Sequence, residues 1–202
     1  MAGTFAAFLI YLAAGLGGFV TLFAVFAVTW LTTRIGYTRK RELGLAEDKR
    51  GRNAGQVLAN VGAAAAFALL SVRFGTMFII AALAALAEAA ADTASSEIGE
   101  YASARAWLIT SLKPVPPGTN GGISLPGTAA AVIASFVIAL VAHRLHVTDS
   151  LFIVAIAGVL GTLLDSFLGA TVERAGLIGN NFVNTFCTIA AGLIAITFQP
   201  LH

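Results

Sequence analysis

Six long apolar runs separated by short polar connections organise this chain: about Phe5 to Leu31, Asn53 to Val72, Thr76 to Ser96, Thr128 to Ala142, Leu151 to Thr171 and Phe182 to Phe198. A helix needs roughly 20 apolar residues to cross about 30 Å of hydrocarbon, and most of these runs supply that length. The pattern therefore predicts an all-α, polytopic membrane protein with about six transmembrane helices, folded as a single integral-membrane domain over residues 1–202. The fourth run is short, so a span there requires its Gly127 end to be buried. The first lacks a basic leader and far exceeds the roughly 7 to 15 residues of a signal-peptide core, so it is expected to span, with a bend at Gly15–Gly18.

Composition agrees: 58% of residues are apolar and 11% charged, which excludes an ordinary soluble domain. The lone cysteine, Cys187, excludes an intrachain disulfide and a Cys-based metal site, and a packing role is expected for it. Of the twelve Lys and Arg residues, Arg34, Arg39, Lys40, Arg41, Lys49, Arg50 and Arg52 fall in one connection, residues 34–52. The positive-inside rule assigns that loop to the cytoplasm. Tracing six spans then places Arg105, Lys113 and Arg174 on the same side and only Arg73 and Arg144 opposite, a ten to two split that puts both termini outside. The chain lives in a membrane, and no nucleic-acid partner is expected.

The same three inner connections carry the polar clusters, whereas the outer ones are nearly blank. His143 and His146 are expected to be solvated at the headgroup level. Within the spans lie Glu88, Asp92 and Asp165, each costing on the order of 2.5–3.5 kcal/mol at mid-helix on insertion scales. Glu88, Asp92 and Ser96 share a helical face by their i, i+4, i+8 spacing, and Asp165 shares one with Gly158, Gly161 and Gly169. Both aspartates lie on the order of 10 Å from the inner helix ends. Structural ion pairs are one reading, but no basic residue lies inside a predicted span. A divalent cation, Mg²⁺, suits hard carboxylate oxygens better than any softer metal.

A weak parallel repeat relates the two acids: "NAGQVLANVG" precedes "DTASSEIG" by 39 residues and "NGGISLPGTA" precedes "DSFLGATV" by 45. An axis along the membrane normal would bring Asp92 and Asp165 together, although alanine- and glycine-rich sequence also produces such matches by chance. Between the units lies the glycine-rich loop 113–127, "KPVPPGTNGGISLPG". Gly118, Gly121 and Gly122 are expected to adopt positive φ and turn backbone N–H groups toward phosphate oxygens, helped by Thr119, Asn120 and Ser124. It is not a Walker A loop, and a tight turn is the alternative.

"QVLAN", "ADTASSEIG", "LITSLKPVPPGTNGGIS", "DSFLGAT" and "NNFVN", in that order, resemble the motifs of the integral-membrane prenyl/phytyl-phosphate kinase family known as domain of unknown function 92, which includes transmembrane protein 19-like members. The resemblance runs from about Lys49 to Asn184. It implies transfer of a phosphoryl group from CTP or another nucleoside triphosphate to an isoprenoid monophosphate such as phytyl or geranylgeranyl phosphate. The family's D-T-x-x-S-E motif carries over to Asp92, Ser96 and Glu97, and its later D-S motif to Asp165 and Ser166. Ser95 stands where a small residue such as Ala is common in the family.

Phosphoryl transfer needs positioning and charge neutralisation more than covalent chemistry. Asp92 and Asp165 are expected to hold Mg²⁺, with Glu97 and Ser96 as further ligands or supports. Lys49, Arg50, Arg52 and Lys113 are expected to hold phosphates, while Asn53, Gln56, Asn60, Asn181 and Asn184 read a base, bridge phosphates or join helices. Small-residue faces also permit a homodimer. A CTP-using lipid cytidylyltransferase and a small-solute or ion transporter remain alternatives.

Overall fold

The computed structural model describes residues 2–46 and 53–199. Six helices are long and apolar enough to cross a membrane: α1 (Ala2–Arg34), α3 (Ala54–Phe74), α4 (Met77–Ala102), α5 (Leu125–Arg144), α6 (Leu151–Leu168) and α7 (Asn180–Thr197), with α6 running on into a π-helical turn, Gly169–Glu173. A short α2 (Tyr37–Glu42) follows α1. The chain is an all-α polytopic membrane protein. Lys49, Arg50 and Arg52 lie outside the described residues.

α4 is the axis of the bundle. It packs against α1, α3, α5, α6 and α7, and those five close a ring in the order α1, α3, α7, α6, α5. Sixteen of its 26 residues are buried, chiefly alanines. Lipid is as apolar as leucine, so helices associate in it through close fit, which small side chains allow. The bulky residues face outward: Phe8, Phe23, Leu125 and Phe152 are all more than half exposed to the bilayer side. The ring separates α3 from α6 by α7, whereas α4 touches α5. A two-fold axis relating α3–α4 to α5–α6 would require those contacts to match. The repeat is therefore a correspondence of motifs, not a symmetry of packing.

The anticipated bend occurs at Gly15, where φ is 62° and the helical path breaks. α5 begins at Leu125, earlier than its apolar run, because the Ser124 hydroxyl accepts from Gly127 N (3.2 Å) and a proline occupies its first turn. Its Gly127 end is buried, as a span this short requires; a Cβ there would stand 2.7 Å from the Ser95 carbonyl and 3.3 Å from Gly99 Cα. At the opposite end of the bundle His143 Nδ1 lies 3.1 Å from the Thr148 carbonyl, a local link at a helix end.

The connection from α4 to α5 is more ordered than a loop. Strands β1 (Ala106–Leu108), β2 (Pro114–Val115) and β3 (Gly122–Ile123) form an antiparallel sheet in the order β2-β1-β3, pairing Trp107 with Pro114 on one side and with Ile123 on the other. These pairings leave no periodicity in the sequence because each strand has only two or three residues.

Candidate functional site

The connections α1–α3, α4–α5 and α6–α7 all contribute to one cavity of about 280 Å³ at one end of the bundle. Gln56 and Asn60 reach it from the first turns of α3, the α4 face contributes Asp92, Ser96 and Glu97, and α6 contributes Asp165 and Ser166. Gly118, Thr119, Asn120, Gly121, Gly122 and Ser124 form the opposite wall, and Asn184 closes the site from α7. The two aspartates, 73 positions apart by their numbers, thus share one cavity.

Glycines on α6 set this convergence. At Gly161 a side chain would meet Glu88 and, at 3.3 Å, the Cys187 carbonyl; at Gly169 it would stand 2.9 Å from Gly121 N. Gly121, at φ 74°, lies flush on the Ala170 backbone, so no L-residue with a side chain fits there without displacing the π-helical turn. The turn one step beyond Asp165 is therefore the seat of the glycine-rich loop. Gly118 also has positive φ (79°), but Gly122 does not; it continues into β3.

The loop holds itself by its own donors. Thr119 N donates to the Pro116 carbonyl (3.3 Å), Gly122 N to the Thr119 carbonyl (2.8 Å), and Ile109 N to the Gly121 carbonyl (3.0 Å). The Thr119 hydroxyl bonds Pro116 as well, at 2.7 Å. Two of the N–H groups expected to face phosphate are thus committed to nested turns, and the loop is a shaped wall more than an open cradle.

Several expected site residues are elsewhere. Lys113 is exposed in the β1–β2 turn and does not line the cavity. Asn53 caps α3: its side chain accepts from Gln56 N at 3.0 Å while Gln56 Oε1 accepts from Asn53 N at 2.8 Å, a capping box. Asn60 Nδ2 donates to the Gln56 carbonyl (2.8 Å), which steadies the same turn. Asn181 is exposed and off the cavity, where Asn180 stands instead. The Asn184 amide, in the orientation that satisfies both its ends, donates to Asp165 Oδ2 (3.3 Å) and to the Asn180 carbonyl (3.1 Å).

Glu97 has a partner that the sequence does not suggest. Lys40 of α2 is fully buried, and its Nζ bonds Glu97 Oε2. Arg34 ends the α1 span next to Thr33, yet the cation that pairs with Glu97 comes from the folded-back connection. Glu88, also on α4, is buried with Oε1 unpartnered and does not line the cavity. Cys187 is buried beside Asp165.

Glu100 and Glu173 also line the cavity, and neither is among the residues expected from the motifs. Helical spacing could have found them, since Asp92, Ser96 and Glu100 continue one i, i+4 series, and Asp165, Gly169 and Glu173 another. Five carboxylates therefore face or flank the space, and among the described residues no Lys, Arg or His lines it. Nor, among the described residues, do three His, Cys, Asp or Glu side chains form a ready metal cage. Two carboxylates lining one polar cavity are the hard oxygen donors that Mg²⁺ takes when water and phosphate complete its shell, so Asp92 and Asp165 fit that ion by their chemistry.

Residues 1–192 match the family model described as integral membrane protein DUF92. An uncharacterised membrane protein of Methanocaldococcus jannaschii is 33% identical over 88% of this chain and 74% of its own length. One of Synechocystis sp. is 29% identical over 95% of this chain and 77% of its own. Protein VTE6, chloroplastic, of Arabidopsis thaliana is 30% identical over 98% of this chain, which spans 64% of the plant protein. No solved structure matches.

Proposed function

The chain belongs to the integral membrane protein DUF92 family, and from that premise we propose that it is a membrane-embedded prenyl-phosphate kinase that uses CTP or another nucleoside triphosphate. The observation that carries this reading is the meeting of Asp92, Asp165 and the glycine-rich wall in one polar cavity at the end of an apolar bundle. Such a site takes a charged headgroup and a phosphate donor while the lipid tail stays against the helices.

In the proposed reaction an oxygen of the isoprenoid monophosphate attacks the γ-phosphorus, the γ-phosphorus to β-oxygen bond breaks, and lipid diphosphate and nucleoside diphosphate leave. The acceptor phosphate is already ionised, so no strong general base is required. Asp92 and Asp165 would hold Mg²⁺, which when bound neutralises phosphate charge and orients the donor. Asn184 keeps Asp165 aligned, Gly121 brings the loop against the Asp165 turn, and the Gln56–Asn60 turn closes the α3 side. Because the described wall is acidic, neutralisation of the polyphosphate falls to cations rather than to Lys113. Lys49, Arg50 and Arg52 lie outside the described residues, and on their charge we assign them to phosphate capture. The ten to two distribution of basic residues supports a cytoplasmic cavity with both termini outside.

Purified protein in detergent with phytyl, geranylgeranyl or undecaprenyl monophosphate and labelled CTP tests the reading. Label from the γ position in a lipid diphosphate is the expected product. Label from the α position, with pyrophosphate release, would instead make the protein a cytidylyltransferase. Transfer of neither label from CTP or ATP to any of the three lipids would overturn the kinase proposal.

A further inference from the structure

A strap of ten residues ties the end of α1 to two parts of the cavity wall, α4 and the glycine-rich loop. After α1 the chain reverses at Gly36, whose φ of 65° and contact with the Tyr101 ring leave no room for a side chain. α2 then lies against α4. Lys40 Nζ donates to Glu97 and to the Thr33 carbonyl (3.0 Å), an acceptor in the last turn of α1, where helix carbonyls lack onward N–H partners. Leu45 N returns to the Lys40 carbonyl (2.8 Å), and the Leu45 side chain meets Gly118 of the glycine-rich loop while lining the cavity.

We propose that residues 36–45 are a strap latched by the Lys40–Glu97 pair, and that these two are positioning residues which set how tightly the cavity holds its nucleotide. This rests on the phosphoryl-transfer reading of the same cavity. Two effects follow from one contact. The latch fixes where Leu45 presses on Gly118, and Lys40 cancels the charge of a carboxylate that would otherwise repel an anionic ligand from the wall. Glu97 then contributes an anchor for Lys40, not a bond to metal. Breaking one side of a buried pair leaves an uncompensated charge, whereas replacing both partners by apolar residues of similar volume is often neutral. That asymmetry separates a latch from a ligand.

The full chain is compared as parent, Lys40→Met, Glu97→Met and the double Lys40→Met/Glu97→Met, each also carrying Leu45→Cys for a second measurement. In the turnover assay, without the reporter cysteine, each single variant should raise the nucleotide KM about tenfold while kcat changes less than about threefold, and the double should return KM to within about twofold of the parent. Maleimide labelling of Leu45→Cys, with buried Cys187 as the internal slow control, should quicken about fivefold in the single variants and return to the parent rate in the double. Where Lys40→Met does not fold, Lys40→Arg, which keeps the charge but moves it, is measured the same way. A double variant as inactive as Glu97→Met, with parent-like labelling, would make Glu97 a ligand and overturn the proposal; so would labelling that no variant changes. The labelling arm needs no substrate, so it decides for or against the latch even in a protein that proves not to be a kinase.

Discussion

Asp92 and Asp165 meet at one cavity, but the helices that carry them are held by different means. α4 is enclosed by five neighbours and buries alanines on every side. α6 is a member of the ring, with only six of 18 residues buried, and it is located by glycines at three levels: against Ala87 at Gly158, Glu88 at Gly161 and Gly121 at Gly169. Asp92 is thus fixed by enclosure of a whole helix, and Asp165 by a few close contacts. In a membrane, where no hydrophobic drive presses helices together, the first arrangement tolerates local change and the second does not.

The largest effect tests what the two share. Asp92→Asn and Asp165→Asn should each lower turnover by about a thousandfold or more, since the amide keeps the shape but loses the charge that balances developing phosphate charge. Elution and thermal unfolding should match the parent. Near-parent turnover in either variant would end the two-carboxylate site.

The next effect tests how they differ, by adding the same methyl group beside each helix. At Gly121, positive φ and the Ala170 backbone both oppose a Cβ, so Gly121→Ala should cost about 1–3 kcal/mol of stability and raise the nucleotide KM. At Gly99 on α4 the nearest atom is the Ser124 hydroxyl at 3.1 Å, which must give by a few tenths of an ångström while it caps α5, and the gain of about 1 kcal/mol in helix propensity offsets that shift, so Gly99→Ala should cost less than about 1 kcal/mol. Thermal unfolding in detergent measures both. Equal losses would mean that α4 and α6 are positioned alike, and the contrast would fail.

Much of this is legible in the sequence because it is periodic or compositional. Span positions, the Gly15 bend and the burial demanded at Gly127 follow from run lengths, and helical rise puts the two aspartates at matching depth; they share a cavity without the repeat axis that would have joined them. What escapes depends on long-range or very short features. Lys40 looks like one cation among several in a basic loop, and the six residues of α2 carry no period that marks one as buried; its partner is 57 positions away. The sequence points to Asn181 because it shares a helical face with Asn184 and Thr188. Both residues neighbour Asn184 by helical spacing, Asn180 at i, i+4 and Asn181 at i, i+3, and of the two it is Asn180 that lines the cavity.

The smallest effect concerns that face. Asn184 is buried on α7, and its amide nitrogen supplies a hydrogen bond to Asp165 across the helix boundary. If Asp165 is placed by its neighbours, this bond aims the carboxylate, and Asn184→Leu keeps the volume while removing the donor. Loss of such an outer partner typically costs about 10- to 100-fold, and the low end is expected here because the bond is long at 3.3 Å. Under the proposed reading the loss should fall on kcat and be the same with CTP and ATP, since it would act through the carboxylate assigned to the metal and phosphates and not through the base. An amide that instead reads the base would change the ratio of the two nucleotides' kcat/KM with little change in kcat for the poorer one. That outcome would move Asn184 out of the support of Asp165 and leave the α6 aspartate held by its glycine contacts alone.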